Sequence, residues 1–208
     1  MTSALLVVVM MVTARPATQS GDLAGHYVLQ GMREVGSELL LKPDGQFEFM
    51  LAYGAADFWA RGTWRRDKEA VVLNSSGKEE EPFRFVRGEA GSAGRIRVWV
   101  KGKNGQGIPH IRVTLHAARG DSEATTSTEG AAVFPDVAEP RGVSFEVRVY
   151  DVQAGPFEIN AAHKDLYFEI NGDAIQQVLF KDERLEIDGK ILVMKHWGED
   201  RVMRYEKQ

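Results

Sequence analysis

SELLLKPDGQFEFMLAYGAADFWARGTW, residues 37 to 64, decides the fold class of this chain. Leu39 and Leu41 share one face of an extended strand, because successive side chains of a strand point to opposite sides. Pro43-Asp44-Gly45 then supplies a tight turn: proline fixes φ, aspartate bonds back to the backbone, and glycine accepts positive φ. The returning run places Phe47, Phe49, Leu51 and Tyr53 on one face and Gln46, Glu48 and Met50 on the other. After a small-residue corner at Gly54-Ala55-Ala56-Asp57, the residues Phe58, Ala60, Gly62 and Trp64 align again. Period-two alternation cut by turn residues predicts an antiparallel meander.

The same style extends in both directions. HYVLQ precedes it from His26, and AVVLN and EPFRFVRG follow, separated by the polar turn SSGKEEE. That makes about six strands before Gly88, all on short loops. GEAGSAG, residues 88–94, has the composition of a flexible linker. Beyond it, alternation resumes through Ile96, Val98 and Val100, through Ile111, Val113 and Leu115, and through Phe145, Val147 and Val149. A second linker is expected over 151–165. Near the C-terminus, Asn171-Gly172 separates LYFEI from DAIQQVLF, and Asp188-Gly189 separates RLEI from KILVMKHW. Both dipeptides are strong hairpin signals, since each residue tolerates φ > 0.

A burial argument joins these parts. The C-terminal strands alone bury too little surface to fold without disulfides or metal, and the N-terminal strands alone would leave open sheet edges. Paired, the two make about eight to ten antiparallel strands, the number that closes into a barrel. The expected fold is therefore all-β, with an antiparallel β-barrel-like domain formed by residues 22–90 plus 160–208. A sandwich at 95–152 is inserted into it. Beads on a string are the competing arrangement.

Composition narrows the function classes. Thirty acidic and twenty-six basic residues give a net charge of −4, with no basic run interleaved with aromatics, so a nucleic-acid partner is not expected. The chain has no cysteine, which excludes disulfides, thiolate catalysis and thiolate metal sites. ALLVVVMMV, Ala4 to Val12, is too short to span a bilayer but matches the apolar core of a signal peptide. Val12 and Ala14 are small residues at the positions a signal peptidase inspects, so a signal peptide over 1–14 and a periplasmic or secreted mature chain with no membrane span are expected. Against this, Met-Thr-Ser ahead of the run carries no Lys or Arg, and a Val-rich run also suits a buried strand.

Residues 95–152 resemble the carboxypeptidase regulatory-like or transthyretin-like sandwich module. The likeness rests on the Gly107-Ile108-Pro109 loop, the Val113-Thr114-Leu115 strand and the return from Thr126 to Phe134. It implies an Ig-like sandwich and no particular activity. LAGHYVLQG and GTW resemble the entry and tryptophan-bearing strands of lipocalin-like barrels, with Gly25-His26-Tyr27 in place of Gly-x-Trp. The wording from Glu34 to Phe47 resembles uncharacterised exported bacterial proteins, which implies secretion.

Chemistry has few candidates. Asp57, a carboxylate among aromatics at a barrel mouth, suits a hydrogen bond to a sugar or cation, with Tyr53, Trp59 or Trp64 as stacking surfaces; the plainer role is a turn-former. Glu34 faces the same choice. The five histidines show no i,i+2 or i,i+4 spacing and no H-E-x-x-H, so no metal site is assigned. No G-x-S-x-G is present, and GKNGQG at 102–107 has no following helix to bind a phosphate, so no catalytic residue and no cofactor are assigned. Trp99 alternates with Val98 and Val100, facing away from their core, and is expected to pack the sandwich against the barrel. The expected function is an exported, non-catalytic binding or structural β-protein. Its partner would be a small apolar or carbohydrate ligand in the barrel, or another envelope protein. The alternative is a carboxylate-dependent hydrolase of cell-envelope carbohydrate, which requires Glu34 and Asp57 to face one cavity.

Overall fold

The computed structural model describes residues 22–92, 94–135, 137–196 and 201–208. The signal-peptide expectation at 1–14 lies outside them. Among the described residues no helix is long and apolar enough to cross a membrane.

Eight strands form a closed antiparallel barrel: β1 (Gly25–Gln30), β2 (Val35–Leu41), β3 (Gln46–Tyr53), β4 (Ala56–Asp67), β5 (Ala70–Ser75), β14 (Glu183–Asp188), β15 (Ile191–Met194) and β16 (Met203–Lys207). Each strand pairs with the next in this order, and β16 returns to β1, Tyr27 opposite Lys207 and Leu29 opposite Tyr205. The N- and C-terminal parts thus close on each other as the burial argument expects. Turn chemistry holds the meander together. Gly45 sits at φ 83°, and Asp44 Oδ1 accepts from the Gln46 N–H at 3.0 Å. Asp188-Gly189 makes the expected hairpin, with Gly189 at φ 62° and Asp188 opposite Ile191.

The remaining strands form two four-stranded sheets. One holds β6 (Phe83–Glu89), β7 (Arg95–Gly102), β10 (Ala131–Pro135) and β13 (Asp165–Ile170), in the order β10-β7-β13-β6. The other holds β8 (Arg112–Ala117), β9 (Ser122–Thr125), β11 (Pro140–Val147) and β12 (Val152–Glu158), in the order β12-β11-β8-β9. Their inward faces share one core, including Val98, Val113, Phe134, Phe145 and Phe168, so they form a sandwich. Its boundaries differ from those expected. The sequence reading places β6 and β13 in the barrel, yet both pair inside the sandwich, and β13 runs parallel to β7. The physical reason is side-chain direction: Phe83, Leu166, Phe168 and Ile170 all enter the sandwich core. The second linker is also corrected, because β12 occupies Val152–Glu158. Asn171-Gly172 is not a hairpin turn either. Asn171 caps a one-turn helix, α1 (Gly172–Gln176), which buries Ile175 in the sandwich core.

The barrel interior is filled. Tyr27, Phe47, Phe49, Phe180 and Tyr205 are all at most 2% exposed, as eight strands leave room for side chains and little else. One polar chain crosses this core: Tyr205 Oη and Ser37 Oγ lie 2.8 Å apart, and Ser37 Oγ donates to the Met50 carbonyl at 2.6 Å. Burial pushes the Tyr205 hydroxyl well above the usual phenol range, with the Ser37 bond opposing it. Tyr27, which donates to the Leu23 carbonyl at 2.8 Å, is raised by burial and then by Asp22. The folded barrel therefore holds these protons more tightly than the unfolded chain does. Their stabilising contribution is intact below the ordinary tyrosine value of about 10 and is lost above it, at about 1.4 kcal/mol per pH unit for each proton. Urea midpoints are expected to be level near neutrality and to fall steeply above about pH 10. Tyr205→Phe should flatten that fall, and an unchanged slope in this variant would contradict the assignment.

Candidate functional site at the seam

The five residues singled out in the sequence fall in different places. Glu34 occupies the turn between β1 and β2 at φ 61° and is exposed. Tyr53 ends β3 at 60% exposure, opposite Val35 on β2 and Ala56 on β4. The corner itself is the two-residue turn Gly54-Ala55, with Gly54 at φ 59°. Asp57 is not in that turn. It lies exposed on β4, opposite Ala52, and points away from the barrel because Ala56 and Ala60 on the alternate positions are buried. β3 separates Glu34 from Asp57, so about 10 Å of sheet lies between their strands. Neither lines any of the clefts described below, and the shared cavity that a two-carboxylate hydrolase requires is not formed by them.

The tryptophans divide cleanly. Trp64 is a core residue at 5% exposure, and its indole N–H donates to the Lys42 carbonyl at 2.9 Å. Trp99 stacks on Tyr167 of the neighbouring strand, with centroids 6.2 Å apart and planes at 7°. That corrects its expected role: it braces the outer face of its own sheet, where Arg87 sits 3.9 Å over the Tyr167 ring. Trp59 alone of the candidates reaches a groove. It is half-buried on the outer face of β4, and the Arg61 guanidinium lies 4.8 Å from the centre of its ring.

Barrel and sandwich meet around Trp59. Its carbonyl accepts from the Val178 N–H at 2.8 Å, and it forms an isolated bridge with Gln177. One residue away, Phe58 packs edge-on against Tyr150 of the sandwich at 5.5 Å. Tyr150 in turn accepts a 2.9 Å bond from Gln176 of α1. Two clefts flank this helix. The first, about 460 Å³, is polar and bordered by Trp59, Arg61, Lys78, Glu80, Lys103 and Asp173. The second, about 800 Å³, is mainly apolar and includes Ile108, Ile111, Val149, Tyr150, Ile170 and Ile175. Lys103 and Asp173, an ion pair at 3.6 Å, border both.

No local spacing joins Arg61, Lys78, Lys103 and Val149 into a site, because they come from four distant segments. The one usable trace was Val149, an apolar residue in register with Phe145 and Val147 that the structure leaves 49% exposed.

Among the described residues no three His, Asp or Glu side chains converge as a metal site would require. Three histidines instead pair with carboxylates: His26 with Glu38, His116 with Asp121 and His196 with Glu183, each at 2.8–2.9 Å. The chain matches no protein-family model, no curated protein and no solved structure.

Proposed function

We propose that this protein is an exported, non-catalytic binding module whose ligand sits at the seam between barrel and sandwich. The observation that carries this reading is the 800 Å³ apolar cleft beside α1. It falls in the size range of small-molecule sites, which are concave, mainly apolar and often placed where domains meet. The barrel lumen offers no equivalent, since aromatic and aliphatic side chains occupy it. The insertion then has a use: it supplies nearly all of the apolar cleft, which the barrel meets at Ala55, and so provides a site that a filled barrel cannot. Export rests on the apolar run from Ala4 to Val12 and the small residues that follow it.

A thermal-shift panel of apolar and amphipathic small molecules on the full chain tests the reading. A ligand at 100 times its Kd adds about 2.7 kcal/mol, which for a chain of this size raises Tm by about 5–10 °C. Val149→Asn changes a half-exposed cleft residue without touching the core, and it is expected to abolish the shift. Shifts that survive this substitution would place binding elsewhere.

A further inference from the structure

The two clefts flanking α1 differ in chemistry in a way that defines a ligand class. Arg61 and Lys78 border the polar cleft, and neither has a carboxylate partner among the described residues; Arg61 rests on Trp59 instead. Lys103 lies between the clefts, its side chain 58% exposed and paired only loosely with Asp173, itself 66% exposed. The remaining carboxylate on this rim, Glu80, already accepts a short bond from the Asn171 side-chain amide. Two cations free of carboxylates among the described residues thus stand in a cleft that shares Lys103 and Asp173 with the apolar one, in a chain whose net charge is −4.

We infer that the seam binds an amphipathic anion: an apolar tail in the cleft of Ile108, Val149, Tyr150 and Ile175, and an anionic head against Arg61, Lys78 and Lys103. This rests on the seam being the binding site, as proposed above. The geometry is economical. Lys103 can swing from Asp173 to the head group, because an ion pair this exposed holds its partners only weakly. Arg61 suits a phosphate or carboxylate because its fork can donate two parallel N–H bonds, and its contact with Trp59 already limits its freedom. The tail contributes burial without any polar partner to satisfy.

Titration calorimetry below micellar concentrations distinguishes the outcomes, using decyl phosphate, decyl glucoside, decyltrimethylammonium and inorganic phosphate as probes. Decyl phosphate is expected to bind about tenfold more tightly than either other amphiphile, the combined effect of three exposed cations on one doubly charged head group. Inorganic phosphate, lacking the tail, should bind too weakly to measure. Arg61→Gln with Lys78→Gln should remove the preference for phosphate while leaving decyl glucoside unaffected, and Val149→Asn should weaken every amphiphile. Equal binding of the three amphiphiles, all sensitive to Val149→Asn, would overturn the anion class and leave the seam site standing. Binding insensitive to Val149→Asn would overturn both. Inorganic phosphate binding as tightly as decyl phosphate would overturn the amphipathic ligand. Unchanged near-ultraviolet circular dichroism in each variant guards against misfolding.

Discussion

Phe180→Ala is expected to destabilise the barrel by about 3–5 kcal/mol, the largest loss for any single substitution considered. Phe180 is not a strand residue. It belongs to the segment that brings the chain back from α1 to β14, yet its ring is 1% exposed inside the barrel. It packs against Phe49 at 5.2 Å, Phe47 at 6.0 Å and His196 at 5.0 Å. Its backbone is fixed as well: the Phe180 carbonyl accepts from the Ser75 N–H at 2.9 Å, and its N–H donates to Ser75 Oγ at 3.0 Å. Removing the ring leaves a void between walls that cannot close in, since every barrel strand is hydrogen-bonded on both sides. Sites that cannot collapse sit at the upper end of the cost range. Urea unfolding should show the loss in the barrel transition, with the sandwich transition unmoved. Phe168→Ala, which empties the other core, should do the reverse. A loss below about 1.5 kcal/mol, or equal losses in both transitions, would contradict the plug role.

Phe180 also marks the limit of what the sequence discloses. The barrel walls were legible because their determinants are local. Alternation sends Leu39, Leu41, Phe47 and Phe49 to one face, and Pro43-Asp44-Gly45 and Asp188-Gly189 turn the chain with their own φ preferences. Closure followed from burial alone, since neither terminal part could cover its edges. β6 and β13 were misplaced because their pairing is not local. β13 joins β7 in parallel from the far side of five intervening strands, and parallel partners leave no turn signature. At Asn171-Gly172 a strong hairpin dipeptide lost to tertiary demand. Ala174 and the glutamines around Ile175 accept a helical turn readily, and that turn buries Ile175 while delivering Gln177 to Trp59. The candidate site was illegible for the same reason on a larger scale. Its walls come from β4, the 76–80 segment, the 103–111 loop, residues 148–150 and α1, and only the folded chain brings them together.

Replacing residues 78–176 with a short Gly/Asn turn is expected to leave a barrel that folds by itself. β5 and β14 are hydrogen-bonded neighbours, with Leu73 opposite Glu183, so the whole sandwich occupies the position of a hairpin loop. The base of that loop is clamped independently of what it carries. Asn74 and Asp182 exchange two bonds, Asn74 Nδ2 to Asp182 Oδ1 at 3.1 Å and the Asp182 N–H to Asn74 Oδ1 at 2.9 Å. Ser75 Oγ donates to the Val178 carbonyl at 3.1 Å. Gly77 and Gln177 come so close that a Cβ on Gly77 would lie 1.9 Å from the Gln177 side-chain nitrogen. A link of about two to four residues therefore spans the cut without strain. The two cores share no residue, and shortening the loop lowers the entropy of closing the β5–β14 pair. The excised chain should unfold in one cooperative transition and keep the buried Trp64 environment. It should also lose all binding at the seam, because Val149, Tyr150 and Lys103 leave with the insert. An excised chain that aggregates or lacks ordered aromatic signals would show instead that the barrel depends on its guest for stability.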